Sequence, residues 1–130
     1  MVESPTPHDR RDLVQWLWPT LIQQELDELK ARFNCHKIRY DSAKQLPSGV
    51  SPDVAYALYE EYGAQNCLQP VDPDVVQSLM DEIGGEDVIR FVSAAYAARA
   101  QEIFDSLNVP KITFKNVWEI FQKMLPYVSN

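Results

Sequence analysis

The residue types that most often carry catalysis are scarce in this chain. Its 130 residues include two histidines and two cysteines. His8 lies near the start of the chain, and His36 directly follows Cys35. No second Cys/His pair stands at the spacing that zinc requires, so we predict no metal site. Neither histidine lies near a nucleophile motif, so we also predict no Ser-His-Asp triad.

Acidic side chains are numerous, but we interpret them as a solvated surface. The pairs Asp81–Glu82 and Glu86–Asp87 lie at the end of a predicted helix. No glycine-rich phosphate loop is present. The segment 104–114 superficially resembles a calcium-binding loop, but Val109–Lys111 occupies positions where oxygen ligands are needed. We therefore predict no catalytic residue, no cofactor and no enzymatic activity, and keep an enzyme of an unforeseen type as a further alternative.

Positive charge is concentrated in one short segment, although the chain carries 12 Lys and Arg against 19 Asp and Glu, a formal net charge of −7. We call this segment the basic strip, and it comprises Lys30, Arg32, His36, Lys37, Arg39 and Lys44. From Asp53 to Asp105 acids predominate, and only Arg90 and Arg99 are basic. The net charge argues against tight, unaided binding to nucleic acid. Two interpretations stay open: solvated helix faces, or a polarised surface that meets a charged partner.

The apolar periodicity predicts an all-α fold, namely a compact bundle of about five helices with a kinked first helix and one short extended segment. Ile22, Leu26, Leu29 and Phe33 recur at intervals of four, three and four residues, which is the stripe of an amphipathic helix. Pro19 precedes the stripe and predicts the kink. We expect the stripe to face the core, so that Leu26→Ala costs roughly 2–5 kcal/mol.

Capping residues punctuate the remaining helices. Ser51–Pro52, Asp72–Pro73 and Ser93 predict three helix starts, and the last helix is expected to begin near Thr113. The periodicity stops between Cys35 and Val50, where an extended piece around Ile38 is expected. We expect these helices to turn their apolar residues inward, including Val54, Leu58, Tyr62, Val75, Val76, Leu79, Met80, Ile83, Tyr96, Ala100, Phe104, Phe114, Val117, Trp118, Phe121 and Met124.

The expected organisation is a flexible leader over residues 1–8 and a single helical domain over residues 9–130. The leader lacks a signal-peptide pattern, and no apolar run approaches the roughly 20 residues that span a bilayer. We therefore predict an intracellular protein, nuclear or cytoplasmic, with reduced cysteines and no membrane contact. Trp16 and Trp18 lie beside the predicted kink. We select them as a candidate protein interface, because large aromatic side chains are enriched at such interfaces.

Two short motifs follow the first predicted helix. Asn34, His36 and Arg39 form an Asn-x-His-x-x-Arg pattern, and Pro47, Gly49 and Pro52 form a proline-glycine-proline pattern. The stretch from Leu13 to Tyr56 thereby resembles the end of the integrase-like catalytic core in eukaryotic transposon-derived proteins, especially fungal ones. That family joins DNA with an Asp-Asp-Glu set that holds two metal ions.

The resemblance implies a role connected with DNA integration but supplies no catalytic residue. The three family acids lie upstream of the segment that matches, so the chain would be a detached or domesticated C-terminal piece. A structural alternative is that Asn34 caps the helix while His36 and Arg39 anchor the following segment by hydrogen bonds. The function that we predict is a non-catalytic interaction module that contacts another protein or itself. The alternative is an accessory nucleic-acid-binding domain that uses the basic strip for weak contact.

Overall fold

The computed structural model describes residues 4–129, and within that range all regular structure is helical. The predicted all-α class is therefore confirmed. Two 3₁₀ helices, Tyr59–Tyr62 and Gly85–Ile89, accompany the α-helices. The α-helices in chain order are α1 (Pro7–Cys35), α2 (Pro52–Ala57), α3 (Pro73–Glu82), α4 (Ala94–Ser106) and α5 (Val117–Val128).

The chain divides into two compact units, which are described separately. The core unit contains the residues up to Gln23 and those from Asp72 onward, and the middle unit is Gln24–Val71. The expected single domain over 9–130 stays a prediction. Residues 1–3 of the expected leader lie outside the described residues, as does residue 130. Pro7 and His8, at the other end of that leader, already belong to α1.

A reciprocal cap starts α1 two residues before the position that the periodicity indicates. The Thr6 hydroxyl accepts a hydrogen bond from the Asp9 amide at 3.2 Å, and the Asp9 carboxylate accepts one from the Thr6 amide at 2.8 Å. This is a capping box with proline at the first helical position. The two hydrogen bonds from Thr6, first from its side chain and then from its backbone, lower the pKa of Asp9.

The first helix contains Pro19 in its interior and continues to Cys35. Pro19 has no amide hydrogen to donate to the Gln15 carbonyl. One turn is reinforced at this point, because the Thr20 hydroxyl donates to the Trp16 carbonyl at 3.1 Å. The predicted kinked first helix is thus one helix with an internal proline.

The hydrophobic core lies in the core unit. Leu13, Leu17 and Leu21, four residues apart on α1, are fully buried. Ala100 of α4 is also fully buried, and its small side chain permits α5 to approach closely. The rest of the buried cluster consists of Ile112, Val117, Ile120, Met124 and Val128. Three helices and the segment before α5 therefore bury one continuous apolar cluster.

The predicted caps of the next three α-helices are confirmed. The Ser51 hydroxyl accepts from the Val54 amide at 3.3 Å, and the Asp72 carboxylate accepts from the Asp74 amide at 2.9 Å. The Ser93 hydroxyl accepts from the Tyr96 amide at 3.2 Å. These side chains satisfy amide groups that have no partner inside the helix.

Several predicted inward faces are wrong. The side chains of the whole α1 stripe are exposed, by 48% at Ile22, 53% at Leu26, 52% at Leu29 and 62% at Phe33. The four large apolar residues of α3 and the adjoining Ile83 are exposed as well, as are Val54, Leu58, Tyr62, Phe114 and Trp118. Helical periodicity shows that one face is apolar, but it does not supply another element to cover that face. The Leu26→Ala cost expected from burial therefore does not apply to the chain by itself.

Candidate interaction surfaces

The helix α3 presents an uncovered apolar face. None of its ten residues is buried, and its four large apolar side chains, together with that of Ile83 directly after its last residue, are between 42% and 71% exposed. They are Val75, Val76, Leu79, Met80 and Ile83. Its polar side is acidic, with Asp74 and Asp81 among its residues. Sequence reasoning identified this stripe but assigned it to the core.

A glycine turn fixes the direction of the chain after α3. Gly84 has φ of 113°, in the region that favours glycine. A Cβ atom there would lie 2.9 Å from Cγ2 of Val88, in the following 3₁₀ helix. That 3₁₀ helix also has no buried residue. The α3 face and its neighbour therefore form an exposed apolar surface within the core unit.

The middle unit has no buried apolar side chain, although all of its residues are described. Ser51 is its one buried residue. A cavity of about 440 Å³ opens in this unit between the first 3₁₀ helix and the segment that follows it. Its walls are Tyr56, Tyr59, Gln65, Asn66, Cys67 and Leu68. This unit thus consists of helical segments and a loop that do not enclose a core of their own.

The loop that carries most of the basic strip is closed by backbone hydrogen bonds. The Ile38 amide donates to the Val50 carbonyl at 3.1 Å, and the Gly49 amide donates to the Ile38 carbonyl at 2.9 Å. The Ser48 hydroxyl accepts from the Asp41 amide at 2.9 Å. The described residues contain no strand. Two backbone hydrogen bonds nevertheless pair Ile38 with Gly49 and Val50, at the place where the sequence predicts an extended segment.

The basic strip lies entirely in the middle unit. All six of its side chains are exposed. Arg39 and Lys44 line one cleft of about 340 Å³ together with Tyr40 and Asp41. Lys30 is 3.8 Å from Asp27, which partly neutralises it. The arrangement brings two cations and an exposed aromatic ring to one place.

The structural roles proposed for the family-like motif find little support in the contacts. Asn34 lies inside α1, which ends at Cys35, and its backbone is not left-handed. In residues 4–129, the side chains of His36 and Arg39 show no hydrogen bond or ion pair. Asn34 is therefore not the helix cap that the sequence predicts, and His36 and Arg39 remain open to solvent.

Trp16 and Trp18, the predicted interface residues, lie half-buried in the core unit. The ring of Trp16 is 6.1 Å from that of Phe104, measured between centroids. Trp18 meets Trp118 at 4.7 Å. Each tryptophan therefore already has a partner inside the core unit, and Trp118, which is 62% exposed, presents more surface than either.

One side chain on α4 and one on α5 have shifted pKa values. Burial, then the nearby Asp12 and Asp9 carboxylates, raises the pKa of Tyr96 to about 12. Its buried hydroxyl has no hydrogen-bond partner in the described structure. Lys123 lowers the pKa of the exposed Glu119 by a 2.6 Å hydrogen bond and by its charge. The first shift reflects the burial of Tyr96 on α4, and the second reflects an ion pair along α5.

Metal-ligating and membrane-spanning features are absent from the described part of the chain. Within it, no three His, Cys, Asp or Glu residues converge to hold a metal ion. Among its helices, none combines the length and the apolar character needed to cross a membrane. Cys35 and Cys67 are both exposed free thiols.

Comparison with known proteins adds no relative. No protein-family model, curated protein or solved structure matches this chain.

Proposed function

We propose that this chain is a non-catalytic helical module that binds protein through exposed apolar helix faces. The observation that carries the proposal is that α2, α3 and both 3₁₀ helices have no buried residue. Their apolar residues are nevertheless arranged on helical faces, and α3 is the longest of these elements. A surface of this kind is typical of a protein that completes its packing with a partner.

Burial of the apolar α3 face against a partner is energetically favourable. A helix of ten residues is marginal in water by itself, because nucleation costs more than a few backbone hydrogen bonds return. Fully burying a Leu, Ile or Val side chain contributes roughly 1.5–3 kcal/mol. The four large apolar residues of α3 and the adjoining Ile83 retain about half of their surface for such burial. Because α3 is acidic on its polar side, a groove with an apolar floor and basic edges suits it best.

Substitutions on opposite sides of α3 test the proposal. Leu79→Asp places a charge on the apolar face, whereas Ser78→Asp adds the same charge away from that face. A protein captured by the wild-type chain is expected to bind Ser78→Asp equally and Leu79→Asp at least about tenfold more weakly, a loss of about 1.4 kcal/mol. Calorimetry with the purified partner measures the dissociation constants.

Two results contradict this function. One is binding of every captured protein to Leu79→Asp with unchanged affinity. The other is turnover by the purified polypeptide that is lost when a single acid or histidine is replaced, since that would show an active site.

We also propose that the module is a detached or domesticated C-terminal piece of an integrase-like transposon protein, acting inside the cell. The support is the pair of motifs formed by Asn34, His36 and Arg39 and by Pro47, Gly49 and Pro52. Sequencing the transcript tests this origin. An Asp-Asp-Glu set encoded upstream in the same frame would make the chain part of a recombinase, whereas its absence would favour a free-standing protein.

The alternative function is nucleic-acid contact through the basic strip. The observation that favours it is the cleft at which Arg39 and Lys44 flank Tyr40, whose ring is 72% exposed. Cations bind phosphates, and an exposed aromatic ring provides a stacking surface for a base.

Titration of labelled single-stranded DNA at low salt tests this alternative. Lys37→Glu/Arg39→Glu is expected to abolish binding or to flatten its salt dependence. Lys115→Glu/Lys123→Glu is the matched control, because it makes the same charge change in the core unit. Equal affinities and equal salt slopes for both double variants would exclude the basic strip as the binding site.

A further inference from the structure

The second half of α1 carries an apolar stripe with the spacing of a helix-pairing seam. Leu26, Leu29 and Phe33 are separated by three and four residues, and each is more than half exposed. This is the alternation of core positions in a coiled coil. All three residues belong to the middle unit, which has no buried apolar residue to pack against them.

Charge is ordered along one flank of this stripe. Glu25 precedes Leu26, and Arg32 precedes Phe33, so both occupy the same flanking position one heptad apart. Glu25 is half-buried and Arg32 is exposed. Neither side chain forms an ion pair within the described chain. An acid at one end of the flank and a base at the other make this segment complementary to itself when it is reversed.

We propose that a second copy of this chain packs antiparallel on this stripe. Leu26 then lies against Leu29 of the second copy, and Leu29 lies against its Leu26. Glu25 lies beside Arg32 of the second copy, and the two-fold axis repeats this ion pair on the other side. This inference rests on the proposed function and names the occupant of one of its apolar faces.

Charge complementarity selects the second copy as the occupant. A two-fold contact uses the same patch on both chains, so one favourable pair necessarily occurs twice and the assembly closes as a dimer. The stripe is short, so the dimer is expected to be weak and to depend on protein concentration and on salt.

Charge reversal with mixing provides the test. Glu25→Arg brings two arginines together across the seam, and Arg32→Glu brings two glutamates together, so each variant by itself repels its own second copy. In the mixed dimer of the two variants, both sides of the seam pair an arginine of one chain with a glutamate of the other, so mixing restores the attraction. The double variant Glu25→Arg/Arg32→Glu likewise places an arginine beside a glutamate on both sides. Sedimentation velocity over a concentration series at low salt, with a reductant present to keep Cys35 free, measures the dissociation constants.

The expected pattern has three parts. Each single variant raises the dimer dissociation constant at least about tenfold, or about 1.4 kcal/mol. The double variant returns it to the wild-type value, and an equimolar mixture of the single variants forms a mixed dimer of similar strength. Glu28→Arg, the matched control with the same charge change away from the seam, leaves it unchanged. Circular dichroism confirms that each variant retains its helix content.

Three outcomes would overturn the antiparallel dimer: a wild-type chain that stays monomeric at every concentration, single variants that dimerise normally, or a double variant that remains monomeric. The last result would indicate a parallel pair, in which Glu25 faces Lys30 instead. The Leu79→Asp experiment uses α3 in the core unit. If the sedimentation experiment shows no dimer while Leu79→Asp weakens partner binding, the dimer is excluded and the proposed function stands.

Discussion

Trp18 of α1 and Trp118 of α5 meet edge to face, with ring centroids 4.7 Å apart and an interplanar angle of 64°. Phe121, one turn after Trp118, completes the group at centroid distances of 6.1 Å and 5.9 Å. Edge-to-face geometry brings the positive edge of one ring to the negative face of the other. These rings therefore link α1 and α5 at the edge of the buried core.

The tryptophan pair predicts a measurable coupling. Trp18→Ala, Trp118→Ala and the double variant form a cycle, and we expect a coupling energy of about 0.5–1.5 kcal/mol. Urea unfolding followed by circular dichroism gives the free energies of unfolding. Tryptophan fluorescence is unsuitable, because the double variant removes two of the three tryptophans. Strict additivity of the two single costs would show that the ring contact contributes nothing.

Two leucines on α1 predict opposite responses to the same substitution. Leu17 is fully buried, so Leu17→Ala is expected to cost roughly 2–5 kcal/mol of unfolding free energy. Leu26 is 53% exposed, so Leu26→Ala is expected to cost under about 1 kcal/mol at low protein concentration. Denaturant unfolding of both variants at one concentration measures the difference. Equal costs would mean that Leu26 is covered within the single chain.

Tyr96 predicts a loss of stability at alkaline pH. Burial and two carboxylates raise its pKa from 10.0 to about 12, so the folded state keeps the phenolic proton at a pH where the unfolded state has lost it. Its contribution is fully present below about pH 10 and is lost as pH rises from 10 to about 12.

The Tyr96→Phe variant isolates this effect. Because the buried hydroxyl has no partner, its removal is expected to leave stability at pH 7 unchanged or increased by up to about 1 kcal/mol. The stability of Tyr96→Phe is expected to fall less than that of the wild type between pH 10 and 12. Parallel pH profiles for the two proteins would contradict the pKa assignment.

The start of α5 predicts a capping cost. The Asn116 side chain accepts from the Thr113 amide at 2.7 Å, and the Thr113 hydroxyl accepts from the Asn116 amide at 3.3 Å. Asn116→Ala is expected to cost about 1 kcal/mol, in the range for helix caps. Gln122→Ala, at an exposed position inside α5, is the control and is expected to be neutral. A thermal midpoint unchanged by Asn116→Ala would exclude the cap.

The local structure was largely predictable from the sequence, because it depends on neighbouring residues. Ser51, Asp72 and Ser93 each cap a helix by a side chain that bonds an amide two or three residues ahead. The start of α5 shows the limit: the last helix was expected near Thr113, and its first regular residue is Val117. Asn34 shows a second limit. Asparagine can end a helix, but α1 continues past Asn34 to Cys35.

The sequence predicted the apolar pattern of each candidate surface but not its exposure to solvent. The sequence alone determined that the chain is helical, where its caps stand, and which faces of α1 and α3 are apolar. Only the tertiary structure decided that Leu17 is covered by α4 and α5 while Leu26 and Leu79 are open to solvent. The physical reason is that amphipathicity is encoded within one helix, whereas burial requires a second element to approach it, and that approach depends on contacts between residues far apart in the chain.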